Sequence, residues 1–169
     1  MLCESCQALG IPDRLCSEDK PNIFYFKADE ILYRRTSENL PDDILKTDLK
    51  IVERIFKLED DSYNRSSVSE PEDVLINDKG EIFHDYSVIG IPLNSLASLE
   101  DFEYDDGKHV CKFVPEYSPL PCNYAHSEIS CYIDDIKRDG NKPPKSVRRY
   151  FREEIMKLWI RIETRQDEP

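Results

Sequence analysis

Pro143-Pro144-Lys145-Ser146-Val147-Arg148-Arg149-Tyr150-Phe151-Arg152-Glu153-Glu154-Ile155-Met156-Lys157-Leu158-Trp159-Ile160-Arg161-Ile162 is the stretch that decides how this chain is built. Val147, Tyr150, Phe151, Ile155, Leu158, Trp159 and Ile162 recur at i, i+3, i+4, i+8, i+11, i+12 and i+15, one continuous apolar stripe at helical period. The two prolines end the preceding loop and Ser146 offers an N-cap. The spacing predicts an amphipathic C-terminal helix, and a helix of that kind needs a surface against which to bury its stripe.

Upstream, the chain supplies strands for that surface. Asn22 to Phe26 and Glu30 to Arg35 read as β-rich runs that would form a hairpin across Lys27-Ala28-Asp29. Ser87 to Leu93 reads as a buried strand running into a short helix or turn at Asn94 to Leu99. Asp105-Asp106-Gly107-Lys108 has hairpin-turn composition, followed by a strand at His109 to Pro115. Ala125 to Ile133 alternates, with His126, Glu128, Ser130 and Tyr132 on one face and Ala125, Ser127, Ile129, Cys131 and Ile133 on the other. Two further helical segments are expected, one from Ile44 to Phe56, with a strand over Ile51 to Phe56 as the alternative, and one opening at Ser69, which would cap Pro71 to Leu75. The mixed order of elements predicts an α+β fold: a single domain, mostly antiparallel sheet, with the C-terminal helix packed on it. Residues 1–21 read as a cysteine-containing arm and 22–166 as that domain.

The whole chain has 169 residues and a formal net charge of −12, from 23 basic and 35 acidic residues. No apolar run approaches the roughly 18 residues of a membrane span. A stand-alone binder of nucleic-acid backbone is disfavoured, because neutralising phosphates takes surplus cations. Met1 to Cys6 has neither a basic n-region nor an apolar core, so the expected location is cytoplasmic, with reduced thiols.

Cys3-x-x-Cys6 with Cys16 has metal-like spacing, since two thiolates on one tight turn can face a tetrahedral zinc. A fourth donor is missing nearby: neither His nor Cys lies between Cys16 and His84. The sequence therefore predicts no cofactor, with zinc at Cys3, Cys6 and Cys16 as the competing reading.

Two function classes emerge. The first is a protein that works by binding a protein partner, with a basic one suiting the acidic surplus, as a subunit, inhibitor or immunity-type factor. Glu59, Asp60, Asp61, Tyr63, Asp101, Glu103, Tyr104, Asp105 and Asp106 are the expected contact residues. The second is a hydrolase acting on nucleic acid or a phosphate ester. There His126 would serve as acid/base, Glu128 would orient it or hold a metal, and Arg34, Arg35 and Arg65 would bind anions, with Asn64, Ser66 and Ser67 as further donors beside Arg65. Phosphate-loop, dinucleotide and Gly-x-Ser-x-Gly signatures are missing from the sequence.

Arg34-Arg35, Asn64-Arg65-Ser66 with Ser69-x-Pro71-x-Asp73, and Asn123-Tyr124-Ala125-His126-Ser127-Glu128-Ile129 occur in that order. In this the chain, over roughly residues 30 to 135, resembles a loose group of small uncharacterised bacterial proteins with an Arg-Arg start and an Ala-His-Ser/Ala-Glu-Ile-like strand. The resemblance implies no activity and carries no functional residue across. The cysteine-rich start and the acidic stretch at 100–106 fall outside it.

Overall fold

A computed structural model describes residues 4–16, 25–36, 47–58, 61–138 and 142–164. Eight strands form one antiparallel sheet: β1 (Ile31–Arg35), β2 (Tyr63–Arg65), β3 (Val88–Pro92), β4 (Phe102–Tyr104), β5 (His109–Tyr117), β6 (His126–Ile133), β7 (Ile136–Lys137) and β8 (Ile160–Ile162). Their spatial order is β4-β5-β6-β2-β1-β3-β8, with β7 paired to the far end of β6. Among the described residues the α-helices are α1 (Glu4–Ala8), α2 (Leu49–Ile55), α3 (Leu93–Ala97) and α4 (Lys145–Leu158). The chain is thus an α+β domain with its C-terminal helix packed on an antiparallel sheet.

The apolar stripe of α4 does what its period dictates. Val147, Phe151 and Ile155 are fully buried, and Phe151, Ile155 and Trp159 join Leu32, Ile89, Ile91 and Ile129 of the sheet in the main core. α2 closes the same layer with Val52, Ile55 and Phe56. The positive charge of α4 is matched in part by the body: Arg152, 5% exposed, donates from Nε to the Phe56 carbonyl at 2.7 Å and from Nη1 to Glu53 at 2.6 Å.

Several local expectations need correction. The helix ends at Leu158, and Trp159 turns extended (ψ 150°). Ile160 to Ile162 leave the helical pattern and pair with Val88 to Gly90 on the edge of β3, where the backbone gains ladder hydrogen bonds. Ser146 lies inside the first turn, with Pro144 at the N-cap. Residues 71–75 form a 3₁₀ helix, capped one residue later than expected: Asp73 accepts from the Glu70 N–H at 2.8 Å, while the Ser69 hydroxyl donates to the Arg65 carbonyl. β1 pairs with β2 and β3. Residues 22–24 of the expected hairpin lie outside the described residues, as does much of the segment expected to open the helix at 44.

Two Asp pairs have structural work in turns. Asp105-Asp106 and Asp134-Asp135 all have positive φ, 51° to 62°, a conformation that Asp tolerates better than most residues. Some of the acidic richness of this chain is therefore turn chemistry.

Candidate active site

β1, β2 and β6 place three side chains in one row across the sheet face opposite α4: Tyr33 opposite Asn64, and Asn64 opposite His126. Arg35 lies two residues beyond Tyr33 and so on the same face. Segment 11–15, the 3₁₀ helix with its following turn, and the loop between β5 and β6 rise around this row. They enclose a cleft of about 640 Å³ whose wall includes Arg34, Arg35, Ser62, Asn64, Asn123 and His126.

His126 is 4% exposed, and both its ring nitrogens are occupied. Nδ1 lies 2.7 Å from the Ser118 carbonyl oxygen and 2.9 Å from Ser118 Oγ. A carbonyl has no proton to give, so Nδ1 carries the proton and donates it. In the neutral ring Nε2 is then the acceptor, and its partner is Ser62 Oγ at 3.0 Å. The Ser118 hydroxyl donates onward to Glu128 Oε1 at 3.2 Å. A chain of contacts thus runs Ser62, His126, Ser118, Glu128, the order of nucleophile, base and orienting groups in a hydrolytic relay.

Ser62 is held in place by its predecessor. Asp61, 5% exposed, accepts from the Lys57 and Leu58 N–H groups and pairs with Arg34 Nη2 at 2.7 Å. Arg34 also donates to the Ile55 and Ser62 carbonyls, and its guanidinium lies 5.1 Å from the Tyr63 ring centre. Most of its donors are therefore spent on fixing the turn that presents Ser62.

Arg35 differs. It donates to the Val74 carbonyl at 3.2 Å and stacks 4.4 Å over Phe83, and among the described residues no carboxylate pairs with it. Burial, then the neighbouring Arg34 charge, lowers its pKa from the usual 12.5. A guanidinium in such a place favours an incoming anion, which relieves both effects. Asp73 and Asp78 also border the cleft: Arg14 neutralises Asp73 through two bonds of 2.7 Å, and Asp78 partly offsets the lowering of the Arg35 pKa.

Asn123 Nδ2 donates to Asn64 Oδ1 at 2.7 Å, leaving Asn64 Nδ2 and Asn123 Oδ1 as buried polar atoms without a partner. Both residues line the cleft, where water or a ligand can serve these atoms.

Of the residues expected from sequence to form a hydrolytic site, the fold gathers Arg34, Arg35 and His126 in one cleft. Glu128 touches the relay only through Ser118. Arg65 stands apart, fully enclosed against Glu30 and so unable to bind a solvent-borne anion. Asn64, expected from sequence together with Arg65 to donate to an anion, lines the cleft. Ser62 and Asn123 as working groups were not legible as such: Ser62 sits in an acidic loop with no motif around it, and only the register of β2 against β6 brings it to His126. Burial corrects two of the expected partner-contact residues, Tyr63 (1% exposed) and Asp61, which present no surface to another protein. Burial also drives the Tyr63 phenol pKa far upward. Asp101, Glu103, Asp105 and Asp106 are exposed, while Tyr104 is half-buried beside His109. Glu59, Asp60 and Cys3 lie outside the described residues. Cys6 and Cys16 are buried. Among the described residues no group of three or more His, Cys, Asp or Glu side chains is spaced as a metal shell, and no helix is long and apolar enough to cross a membrane. In comparisons with known proteins the chain matches no family model, no curated protein and no solved structure.

Proposed function

We propose that the chain is a hydrolase of phosphate esters, with Ser62 as nucleophile and His126 as its base. The observation that carries this reading is the pair of contacts at His126, Nδ1 at 2.7 Å from the Ser118 carbonyl oxygen, which can only accept, and Nε2 at 3.0 Å from the Ser62 hydroxyl. Arg35 favours an anionic ester, because its guanidinium can pair with phosphoryl oxygens in the bound substrate as well as in the transition state, whereas a neutral acyl ester meets it only as an oxyanion develops. In the reaction Ser62 Oγ bonds to phosphorus while its proton passes to His126 Nε2. The bond to the leaving alcohol breaks, and that oxygen takes the proton from Nε2. Water then attacks the phosphoseryl group, His126 again takes and returns a proton, and Ser62 is restored. Arg35 and the Asn64 amide would stabilise the charge on the phosphoryl oxygens.

The test is hydrolysis of bis(4-nitrophenyl) phosphate by the purified chain, together with covalent labelling by a fluorophosphonate. Labelling confined to Ser62, with Ser62→Ala and His126→Asn each losing about 100-fold or more in rate, is the expected result. Folded wild-type protein that neither turns over nor is labelled overturns the reading.

A second reading, binding of a basic protein partner, is favoured by the exposed Asp101, Glu103, Asp105 and Asp106 around the β4–β5 hairpin. Lys112 and Lys108 already pair with Asp101 and Asp105 there, which reduces the charge left for a partner. Its test is salt-sensitive capture of a partner that is lost when Glu103 and Asp106 are changed to Lys.

A further inference from the structure

The cleft has an apolar wall that the hydrolytic relay does not use. Leu120, Pro121 and Cys122 of the β5–β6 loop line it together with Ile76, Ile11 and Leu15. Ile11 and Leu15 are buried in a small apolar cluster with Ala125, and half-buried Ile76 and Cys122 pack against that cluster. Leu120, 47% exposed, extends the same surface toward solvent.

One turn joins this wall to the polar one. Leu120 N–H donates to the Asn123 carbonyl at 3.0 Å, and Asn123 N–H donates to the Leu120 carbonyl at 3.1 Å. Antiparallel residues bonded both ways have their Cα atoms about 5.5 Å apart. Asn123 reaches Asn64 from this turn, while the Leu120 side chain stays accessible. A molecule whose polar group lies against Asn64 and Arg35 therefore meets apolar side chains with its next few atoms.

Charge selects the polar group. Arg34 and Arg35 are the Arg and Lys side chains in the described lining, and Arg34 is committed to Asp61. One guanidinium is left to match a ligand's charge. Asp78, exposed at the same cleft, opposes any further negative charge. A phosphodiester carries one such charge, whereas a dianionic monoester or a polyphosphate brings more than these groups neutralise. The described lining also holds no Phe, Tyr or Trp, the rings on which nucleobases stack.

We infer that the cleft takes a small phosphodiester of aliphatic alcohols, with its phosphoryl group at Arg35 and Asn64 and an alkyl chain along Ile76, Leu120 and Cys122. The phosphoryl position rests on the hydrolytic reading above, while the choice of ester needs no turnover. The ester is a soluble one, because a net charge of −12 opposes approach to an anionic membrane surface.

The experiment is calorimetric titration of the full chain at pH 7 with dialkyl phosphates of increasing chain length. Each methylene buried on such a wall strengthens binding by about fourfold, so dibutyl phosphate should bind at least about tenfold tighter than dimethyl phosphate. Diethyl phosphate should bind at least about tenfold tighter than neutral triethyl phosphate, a preference lost in Arg35→Met. Leu120→Ser, a change at an exposed position, should cut the dibutyl-to-dimethyl ratio by about threefold or more. Equal affinity for dimethyl and dibutyl phosphate overturns the inference, as does triethyl phosphate binding as well as diethyl phosphate. Tighter binding of thymidylyl-thymidine than of dibutyl phosphate overturns it in favour of a nucleic-acid ligand. Co-sedimentation with phosphatidylglycerol vesicles that dibutyl phosphate competes away overturns the soluble source. Chain-length-dependent binding without turnover of bis(4-nitrophenyl) phosphate overturns the hydrolytic reading alone, and turnover without that dependence overturns this inference alone.

Discussion

Arg65 grips Glu30 with two parallel hydrogen bonds, Nε to Oε2 at 2.8 Å and Nη2 to Oε1 at 2.7 Å, and both side chains are enclosed at 0% and 2% exposure. The guanidinium also donates to the Tyr25 carbonyl and stacks 4.4 Å from the Phe26 ring centre. Glu30 immediately precedes β1, and Arg65 ends β2. The pair therefore locks together the two central strands that carry the cleft residues.

Removing one partner leaves the other charge buried alone. Glu30→Gln is expected to lower unfolding free energy by about 3–5 kcal/mol, measured as a fall in urea midpoint at unchanged slope. Changing both residues to apolar ones of similar volume, Glu30→Leu with Arg65→Met, should recover much of that loss. A Glu30→Gln midpoint equal to wild type would show that the pair contributes nothing net.

The same pair sets an acid limit. Burial opposes ionisation of Glu30, but the Arg65 hydrogen bonds, the Lys27 N–H and the nearby Arg65 charge outweigh it and hold its pKa below the ordinary 4.5. With a depressed pKa the folded protein binds fewer protons at this site than the unfolded chain, so stability rises with pH there. The contribution is complete above the unfolded value and is lost as pH falls through the folded one. Urea titrations from about pH 6 to pH 3 should show wild type losing more stability than Glu30→Gln across that interval. Parallel losses in the two proteins would assign the acid limit to other carboxylates.

Gly90 lies in the middle of β3, where the sheet is crossed closely by two isoleucines. A Cβ built there would stand 2.6 Å from Ile31 Cγ2 and 3.0 Å from Ile162 Cδ1. Its φ is not in the left-handed region, so the constraint is space alone. Gly90→Ala should destabilise by about 1–3 kcal/mol through overpacking. Removing those atoms, with Ile31→Ala for the Cγ2 and Ile162→Val for the Cδ1, should recover part of that loss relative to the same changes in the Gly90 background, as double-mutant cycles would measure.

The sequence is most readable where one physical constraint acts alone. The stripe Val147–Phe151–Ile155 reports a helix against a core because burial at period 3.6 has no other solution, and Asp105-Asp106-Gly107 reports a turn through backbone conformation. It misleads where two patterns overlap. Ile162 fits the helical stripe, yet the free edge of β3 gives Ile160–Ile162 ladder bonds that a further helical turn does not. The site is harder still. Arg34, Arg35 and Arg65 look alike as letters, but one fixes a turn, one faces the cleft and one is buried against Glu30. Those fates depend on strand register, which pairs Tyr33 with Asn64 and Asn64 with His126, and no local motif encodes it.

Asn64 separates a binding role from a structural one. Its Nδ2 has no protein partner among the described residues and borders the cleft, so a bound phosphoryl oxygen can accept from it. Asn64→Leu keeps the volume and removes that unsatisfied donor. It also removes the acceptor for Asn123 Nδ2, a group at the cleft wall that water can serve in its place. The expected outcome is a stability change within about 1 kcal/mol of zero. Turnover of bis(4-nitrophenyl) phosphate should nevertheless fall by about 10²–10³-fold, the usual effect of losing one preorganised donor to a developing oxyanion. The fall should be in kcat, since the donor acts on charge that develops in the transition state. A variant that unfolds several kcal/mol more easily while hydrolysing at the wild-type rate would make the Asn64–Asn123 pair a structural link between β2 and the loop, and would remove Asn64 from the proposed machinery.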